Sequence, residues 1–514
     1  MASDSVLQTA LALSSPEEAT RPAFPLGVLH PRGFVRRVDV IGHNYPTPPQ
    51  ATPASWNVGQ ADLVVLAPTV GECRSAGWLA EAVRGLEGRL AENGLVYVMA
   101  PPWWRAAIRR QLKDHGLVEV MALVHLPSWK ATHYLVPLDH AAVRYASSVL
   151  LPTPRWKRGL AESVLGLPQG GPFLASVLPS VGLVLRRSND RPLLDWLRTA
   201  DSGVCQISSM VLSTSQRRGR ESVVIHCLGE SARLTAVAKL VWDRGVTGSG
   251  LDEPSLIARL GPKAQEGGAR VPAVRRTESI GGSSVVLEEV VEGTPAAVIL
   301  ASRPRAATRI VELVADWLGH WNALTIGLSG GSEWIEREVL TPARRILPIL
   351  EHGPEYLSWL AARCTSLGSR MPLVATHNDL TSWNMLVDPD ANAAPLGVVD
   401  WAEAREESLP LVDFYYAVTD IALVESPGAR RLEALQSWLA PVGSFAPYVR
   451  PLLRRLQHQL ALTDEVAEIC LHACFIGHAA NELDRSAPTD PREFGEIASW
   501  LASNRGTVWQ WLRR

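Results

Sequence analysis

The residues whose types and spacing could do chemistry are His377, Asp379, Asn384 and Asp400. The first three stand in Ala375-Thr376-His377-Asn378-Asp379-Leu380-Thr381-Ser382-Trp383-Asn384. Two apolar runs, 371–375 and 396–399, bracket this polar loop, and the second run ends on Asp400-Trp401. Transfer of a phosphoryl group from a nucleotide needs a carboxylate to take the acceptor's hydroxyl proton and oxygen ligands for Mg²⁺. Asp379, Asn384 and Asp400 supply those types in that order. The plain alternative is that Asp379 and Asn384 are turn and cap residues, places that both types favour.

Elements must exist to hold such a loop, and the chain has room for them. Its 514 residues suggest roughly three compact units. Hydrophobic residues make up 46% of it, enough for sizeable cores, and the net charge of -2 shows no bias toward nucleic acid or anionic membranes. Lysine is scarce: Lys113, Lys130, Lys157, Lys239 and Lys263 are the only ones. The six cysteines form no CxxC pair, so neither a zinc ribbon nor a disulfide framework is indicated. The start lacks the basic residues of a signal peptide, and no apolar run reaches the roughly 20 residues that span a bilayer. A soluble cytoplasmic protein is the expectation.

Residues 1–30 read as a flexible tail, 36–42 as a strand and 44–55 as a loop. Between 61 and 138, strands at 61–67, 95–99, 117–125 and 133–138 alternate with helices at 77–93 and 103–115, which implies an α/β layer with a parallel sheet. A helix near 156–166 and a strand at 180–186 follow. A helix around 191–199 precedes strands at 204–212, 222–228 and 235–242. Lys239 lies inside the last of these, where burial demands an anionic partner. Glu253-Pro254 opens a helix, with proline at the first turn as a start signal. Residues 283–291 read as a strand. From 305 onward the spacing is helical at 307–322, 333–349, 355–368, 410–424, 428–439, 444–462, 463–484 and 491–512.

The string His377-x-Asp379-x₄-Asn384, then Asp400-Trp401 after a second apolar run, resembles the aminoglycoside phosphotransferase and choline kinase family, relatives of the protein kinases. The resemblance covers roughly 190–500 and is strongest over 373–416. Residues 36–140 resemble, in pattern only, the later strands of class I S-adenosylmethionine-dependent methyltransferases: 61–67 their fourth strand, 93–99 the strand that follows a glycine and a long helix, and 115–138 their closing antiparallel strands. The glycine-rich turn of those enzymes has no counterpart here, and Gly42-His43-Asn44-Tyr45-Pro46 is a poor substitute. That part is expected to act without a cofactor.

The kinase-like resemblance implies roles residue by residue. Asp379 is the base or hydroxyl-orienting group, and Asn384 and Asp400 are Mg²⁺ ligands. Lys239 pairs with the nucleotide phosphates and Glu253 holds Lys239. Glu288, Glu289, Val290 and Val291 form the hinge that meets the adenine through backbone groups. ATP or GTP with Mg²⁺ are the implied cofactors. His377 and Asp413 support the loop. Asn378 stands where the family usually has glycine and tolerates a left-handed backbone. Ser213-Thr214-Ser215-Gln216-Arg217-Arg218-Gly219, the phosphate-covering loop, is not glycine-rich. Cys470, Cys474 and His478 lie along one helix face and read as packing. Glu403, Glu406 and Glu407 read as a solvated loop.

The expected architecture is a degenerate Rossmann-like α/β domain followed by an α+β bilobal protein-kinase-like fold with a large helical C-lobe. Its parts are a tail over 1–30, the methyltransferase-like domain over 31–188, the N-lobe over 189–300 and the C-lobe over 301–514. The expected function is a small-molecule kinase that phosphorylates a hydroxyl of a sugar, aminoglycoside-like or amino-alcohol acceptor, without nucleic-acid or membrane partners. The alternative is a non-catalytic pseudokinase or ligand-binding protein fused to a degenerate methyltransferase-like module. Oligomeric state has no signature in the sequence.

Overall fold

The structure, a computed structural model, describes residues 38–41, 61–150, 181–187, 197, 207–214, 222–242 and 253–513, apart from 69, 75, 87, 129–130, 281–282, 329–332, 369–370, 389–394, 427 and 486–491. The expected tail over 1–30, the loop at 44–55, the Gly42–Pro46 turn, the helix at 156–166 and most of the 191–199 helix and the 213–219 loop lie outside the described residues. Two compact units emerge. One takes residues up to 216, 220–246 and 274–290; the other takes 217–219, 247–273 and 291–514.

The first unit is one sheet of eleven strands. In chain order these are β1 (Val38–Ile41), β2 (Ala61–Leu66), β3 (Leu90–Ala100), β4 (Val118–Ser128), β5 (Ala131–Pro137), β6 (Val181–Arg186), β7 (Ser209–Thr214), β8 (Ser222–Leu228), β9 (Leu234–Trp242), β11 (Val274–Ile280) and β12 (Ser283–Glu288). Their order across the sheet is β1-β2-β3-β6-β4-β5-β7-β8-β9-β12-β11. β1, β2 and β3 are parallel, as expected from their apolar runs and the helix α1 (Ala76–Leu86) between β2 and β3. Beyond β3 the sheet is not parallel, against the expectation from strand–helix alternation, while the antiparallel closing strands implied over 115–138 are present. β6 enters antiparallel between β3 and β4, and β4 runs antiparallel to β5. Two residues join β4 to β5, and a connection that short closes only an antiparallel pair. β11, which sequence spacing did not mark, forms the last strand.

Alternation sorts side chains to two cores. Val64, Leu66, Val96, Val98, Leu183 and Leu185 face one way, toward Leu79, Val83 and Leu86 of α1 and Ile108 and Leu112 of α2 (Arg105–Lys113). Leu63, Val65, Leu95, Tyr97 and Val184 face the other way, in a cluster that continues through Leu212, Ile225, Ala238, Leu240 and Leu287. The β5–β7 pairing, Tyr134 with Ser213 and Leu135 with Leu212, makes the sheet continuous across residue 188.

The second unit begins with α3 (Glu253–Glu266) and β10 (Ala269–Arg270) and continues, from residue 291, into a mainly helical body. Helices α4 (Ala296–Ser302), α5 (Ala307–Thr325), α6 (Gly353–Leu367), α7 (Val412–Glu425), α8 (Arg431–Leu439), α9 (Ala446–Gln459), α10 (Asp464–Arg485), α11 (Glu493–Ser503) and α12 (Arg505–Arg513) account for the periodic segments of the sequence. The expected single helix over 491–512 is two helices that meet at Asn504, and α4 was not anticipated. The stretch 335–349 winds successively as π, α and 3₁₀ turns. Short strands complete the unit. β13 (Thr294–Pro295), β16 (Met385–Val387) and β17 (Leu396–Val398) form a ladder with β10, while β14 (Gly327–Leu328), β15 (Pro372–Thr376) and β18 (Arg405–Ser408) form another.

Candidate active site

The loop between β15 and β16 is fixed at its root by α5. Asn322 Nδ2 donates to the Ala375 carbonyl (3.2 Å), and the Ala375 N–H donates to Thr325 Oγ1 (3.2 Å). His377 is fully buried; its N–H donates to Asp413 Oδ2 (2.7 Å) and its Nε2 to the Val399 carbonyl (3.1 Å). Asn378 adopts the left-handed conformation, φ 60°, and its N–H donates to Asp413 Oδ1 (2.8 Å). Its side-chain amide donates to the Glu403 carbonyl (3.1 Å). Asp413 is thus a two-oxygen acceptor for consecutive backbone amides. Burial pushes its carboxyl above the ordinary carboxylate range, opposed by His377 beside it and by the two amide bonds.

Asp379 follows, buried at 7% exposure. Asn384 Nδ2 donates to the Asp379 carbonyl (2.7 Å) and to Asp379 Oδ2 (3.3 Å). The donor end of Asn384 is therefore committed, and its amide oxygen is the group it can offer a cation. β16 and β17 pair antiparallel, Met385 with Val398, and the Val399 N–H donates to the Asn384 carbonyl (3.1 Å). This register brings Asn384 and Asp400 to the same end of the two-stranded ladder.

Asp400 turns the chain out of that ladder with φ 66° and ψ 67°. A left-handed aspartate costs of order 1 kcal/mol and persists where its surroundings enforce it. Here the enforcement comes through Trp401. Its N–H donates to Glu253 Oε1 (2.8 Å), and its indole N–H donates to the Val398 carbonyl (3.0 Å). The buried ring packs edge-on against His377 and Trp321. The carboxylate of Glu253, assigned from sequence to Lys239, thus anchors the residue that follows Asp400. Asp400 and Asn384 present a carboxylate and an amide oxygen, a donor set that suits Mg²⁺, which takes hard oxygen ligands and keeps waters.

In the first unit, Lys239 lies on β9 opposite Val224 and Val286. Glu288, two residues beyond Val286, shares its face, and Lys239 Nζ stands 3.2 Å from Glu288 Oε1. Both side chains are buried. The anionic partner that sequence reasoning required for this lysine is therefore present on the neighbouring strand. Of the expected hinge, Glu289 is exposed and within 3.5 Å of Arg275, Val290 is half-buried and Val291 is buried. The division between the two units falls between Val290 and Val291.

Other groups resolve as packing or surface. Cys470 and Cys474 are buried, with Cys474 Sγ donating to the Val412 carbonyl, and His478 stacks on Tyr416. Glu406 pairs with Arg259 at 3.0 Å on the surface. Sequence reasoning missed Asp420, 7% exposed, which accepts from the N–H and the hydroxyl of Ser382 (2.8 and 2.7 Å). A signal existed: an acid seven residues after Asp413 in the otherwise apolar and aromatic run Phe414–Val424.

Residues 255–467 match the family model of the phosphotransferase enzyme family, APH. The matched residues include Asp379, Asn384, Asp400 and Asp413. No curated protein matches the chain. Several solved structures are similar. One is the aminoglycoside phosphotransferase APH(3'')-Id of Streptomyces rimosus in complex with ADP and streptomycin, at 16% identity over 50% of this chain and 90% of that one, with a TM-score of 0.34. Another is the gentamicin complex of APH(2'')-IIa, at 13% identity over 63% of this chain and 95% of that one, TM-score 0.35. A third is ADP-bound APH(2'')-Ib, at 14% identity over 62% of this chain and 96% of that one, TM-score 0.35.

Proposed function

We propose that the protein is a small-molecule kinase that transfers the γ-phosphate of ATP or GTP to a hydroxyl of a sugar, aminoglycoside-like or amino-alcohol acceptor. The observation that carries this reading is the joint placement of Asp379, Asn384 and Asp400. A buried carboxylate stands beside an asparagine whose amide nitrogen is bonded to it, and a second carboxylate sits at the same ladder end. Asp379 takes or orients the acceptor hydroxyl, so that its oxygen attacks the γ-phosphorus in line. Asn384 and Asp400 hold Mg²⁺, which when bound neutralises the charge on the phosphate oxygens. Lys239, kept in place by Glu288, serves the nucleotide phosphates, and residues 288–291 offer backbone groups to the base.

Residues 189–300 and 301–514 are read as the two parts of the phosphotransferase, and 31–188 as a Rossmann-like α/β module that works without a cofactor. The parallel β1–β3 ladder supports the α/β character of that part.

The test is a phosphotransfer screen: the full chain with Mg²⁺ and ATP or GTP over a panel of hydroxylated metabolites, scored by product mass. A phosphorylated product is expected from at least one sugar or amino-alcohol class. A folded protein that binds no Mg²⁺-nucleotide by calorimetry would sink the kinase reading. Nucleotide binding without turnover on any acceptor would favour the pseudokinase alternative.

A further inference from the structure

We propose that Asp420 is a positioning residue for phosphoryl transfer, gripping the far side of the loop that Asp413 grips on the near side; this rests on the reading of Asp379 as the group that meets the acceptor. Asp413 and Asp420 are seven residues apart on α7, close to two helical turns, so their carboxylates project from one face about 10 Å apart along the axis. Asp413 takes the amides of His377 and Asn378, and Asp420 takes the amide and hydroxyl of Ser382. Asp379 lies between these anchor points. With the backbone held at 377, 378 and 382, and Asn384 bonded back to both the carbonyl and the carboxylate of Asp379, that carboxylate has little freedom left.

Three further observations favour a role beyond packing. A buried carboxylate is costly in an apolar helix unless it is fully compensated. The compensation here is asymmetric: Oδ2 serves the loop twice, while Arg431 Nη1 approaches Oδ1 at 3.4 Å. Arg431 is itself held, donating to Glu493 Oε2 (3.0 Å) with its guanidinium 4.5 Å over the Phe494 ring. The arginine therefore fixes which oxygen of Asp420 faces Ser382. Finally, Ser382 contributes two donors from one residue, a bond that an apolar residue in its place would halve.

The experiment compares wild type, Asp420→Asn, Ser382→Ala and the double variant in the full chain. Turnover is read with Mg²⁺-ATP and the acceptor found by the screen, or with water as acceptor if none is found. Mg²⁺-ATP affinity is read by calorimetry, and backbone exchange over 377–386 by hydrogen–deuterium mass spectrometry. Asp420→Asn is expected to lower kcat by about 10- to 100-fold with Mg²⁺-ATP affinity within about twofold, Ser382→Ala by a smaller factor, and the double variant by no more than Asp420→Asn alone. Exchange over 379–386 rises in each. If Asp420→Asn does not fold, Ser382→Ala carries the test. Unchanged kcat and unchanged exchange in the folded variants, or multiplicative losses in the double variant, would overturn the proposal. A wild type without any turnover would instead count against the kinase reading, and the exchange data would still decide whether Asp420 holds the loop.

Discussion

His377, Asp379, Ser382 and Trp401 in the loop and most of the apolar side chains of β2, β3 and β6 in the sheet are buried, and they are held in opposite ways. The sheet is held by alternation of apolar side chains into two cores, and its strands tolerate change so long as volume is kept. The loop is held by carboxylates. Asp413, Asp420 and Glu253 each accept backbone amides of loop residues or of Trp401. Apolar burial is non-directional and spreads its effect over many neighbours, whereas a carboxylate at 2.8 Å from an amide fixes one orientation. The region that places reactive groups uses the directional kind, so a single polar substitution there should alter chemistry, while the sheet should answer only to changes in volume.

The largest contrast is expected from Asp413→Ala. It leaves the buried N–H of His377 and that of Asn378 without their acceptors, a loss of about 3 kcal/mol in stability and of roughly 100-fold in turnover. Chemical denaturation and acceptor kinetics check this. A loss of stability with turnover per folded molecule unchanged would dissolve the distinction between the regions.

Gly182→Ala is the counterpart in the sheet. A Cβ at this β6 position would stand 1.8 Å from the Tyr97 hydroxyl oxygen and 2.4 Å from its Cζ. Tyr97 is locked in the core and hydrogen-bonded to His125, so it cannot swing away. Destabilisation of about 1–3 kcal/mol is expected, with turnover per folded molecule unaltered. A fully stable variant would show that this core is looser than its packing implies.

Acidification acts on both units through buried histidines. Burial pushes His125 down to about 3 and His226 to about 4 in the sheet unit, and burial, aided by Arg505 and Arg363, pushes His472 down to about 3 in the helical unit. Each faces a tyrosine hydroxyl, Tyr97, Tyr145 and Tyr356 respectively. In the unfolded chain an imidazole takes a proton near pH 6.5. Between that value and 3–4 the unfolded chain binds more protons than the folded one. Stability therefore falls on acidification, by up to about 1.4 kcal/mol per pH unit for each histidine. His472→Gln should flatten the pH 4–6.5 slope of the helical unit alone. Equal slopes in variant and wild type would remove His472 from that role.

Which features were legible in the sequence follows the same division. The apolar runs 61–67 and 95–99 and the helical periodicity after 305 marked their elements, because burial acts on residue type and spacing, both visible in the chain. The types at Asp379, Asn384 and Asp400 were visible for a similar reason: few residue types could do the chemistry proposed for them. Long-range polar pairings were not. Nothing local ties Glu253 to Trp401, 148 residues away, or Ser382 to Asp420, and the Lys239–Glu288 pair forms because β9 and β12 are neighbours. Strand register decides the Lys239–Glu288 pair, and helix and loop packing the other two, and both come from the whole fold. The antiparallel entry of β6 after its long connection was hidden for the same reason.

The central claim, that Asp379 is the group that meets the acceptor hydroxyl, is tested most directly by Asp379→Asn. The measurement pairs calorimetric Mg²⁺-ATP binding with the rate of phosphorylated product formation in the same preparation. Nucleotide binding is expected to survive within a few-fold, while turnover falls by about 10²–10⁴. Equal turnover in wild type and Asp379→Asn would contradict it.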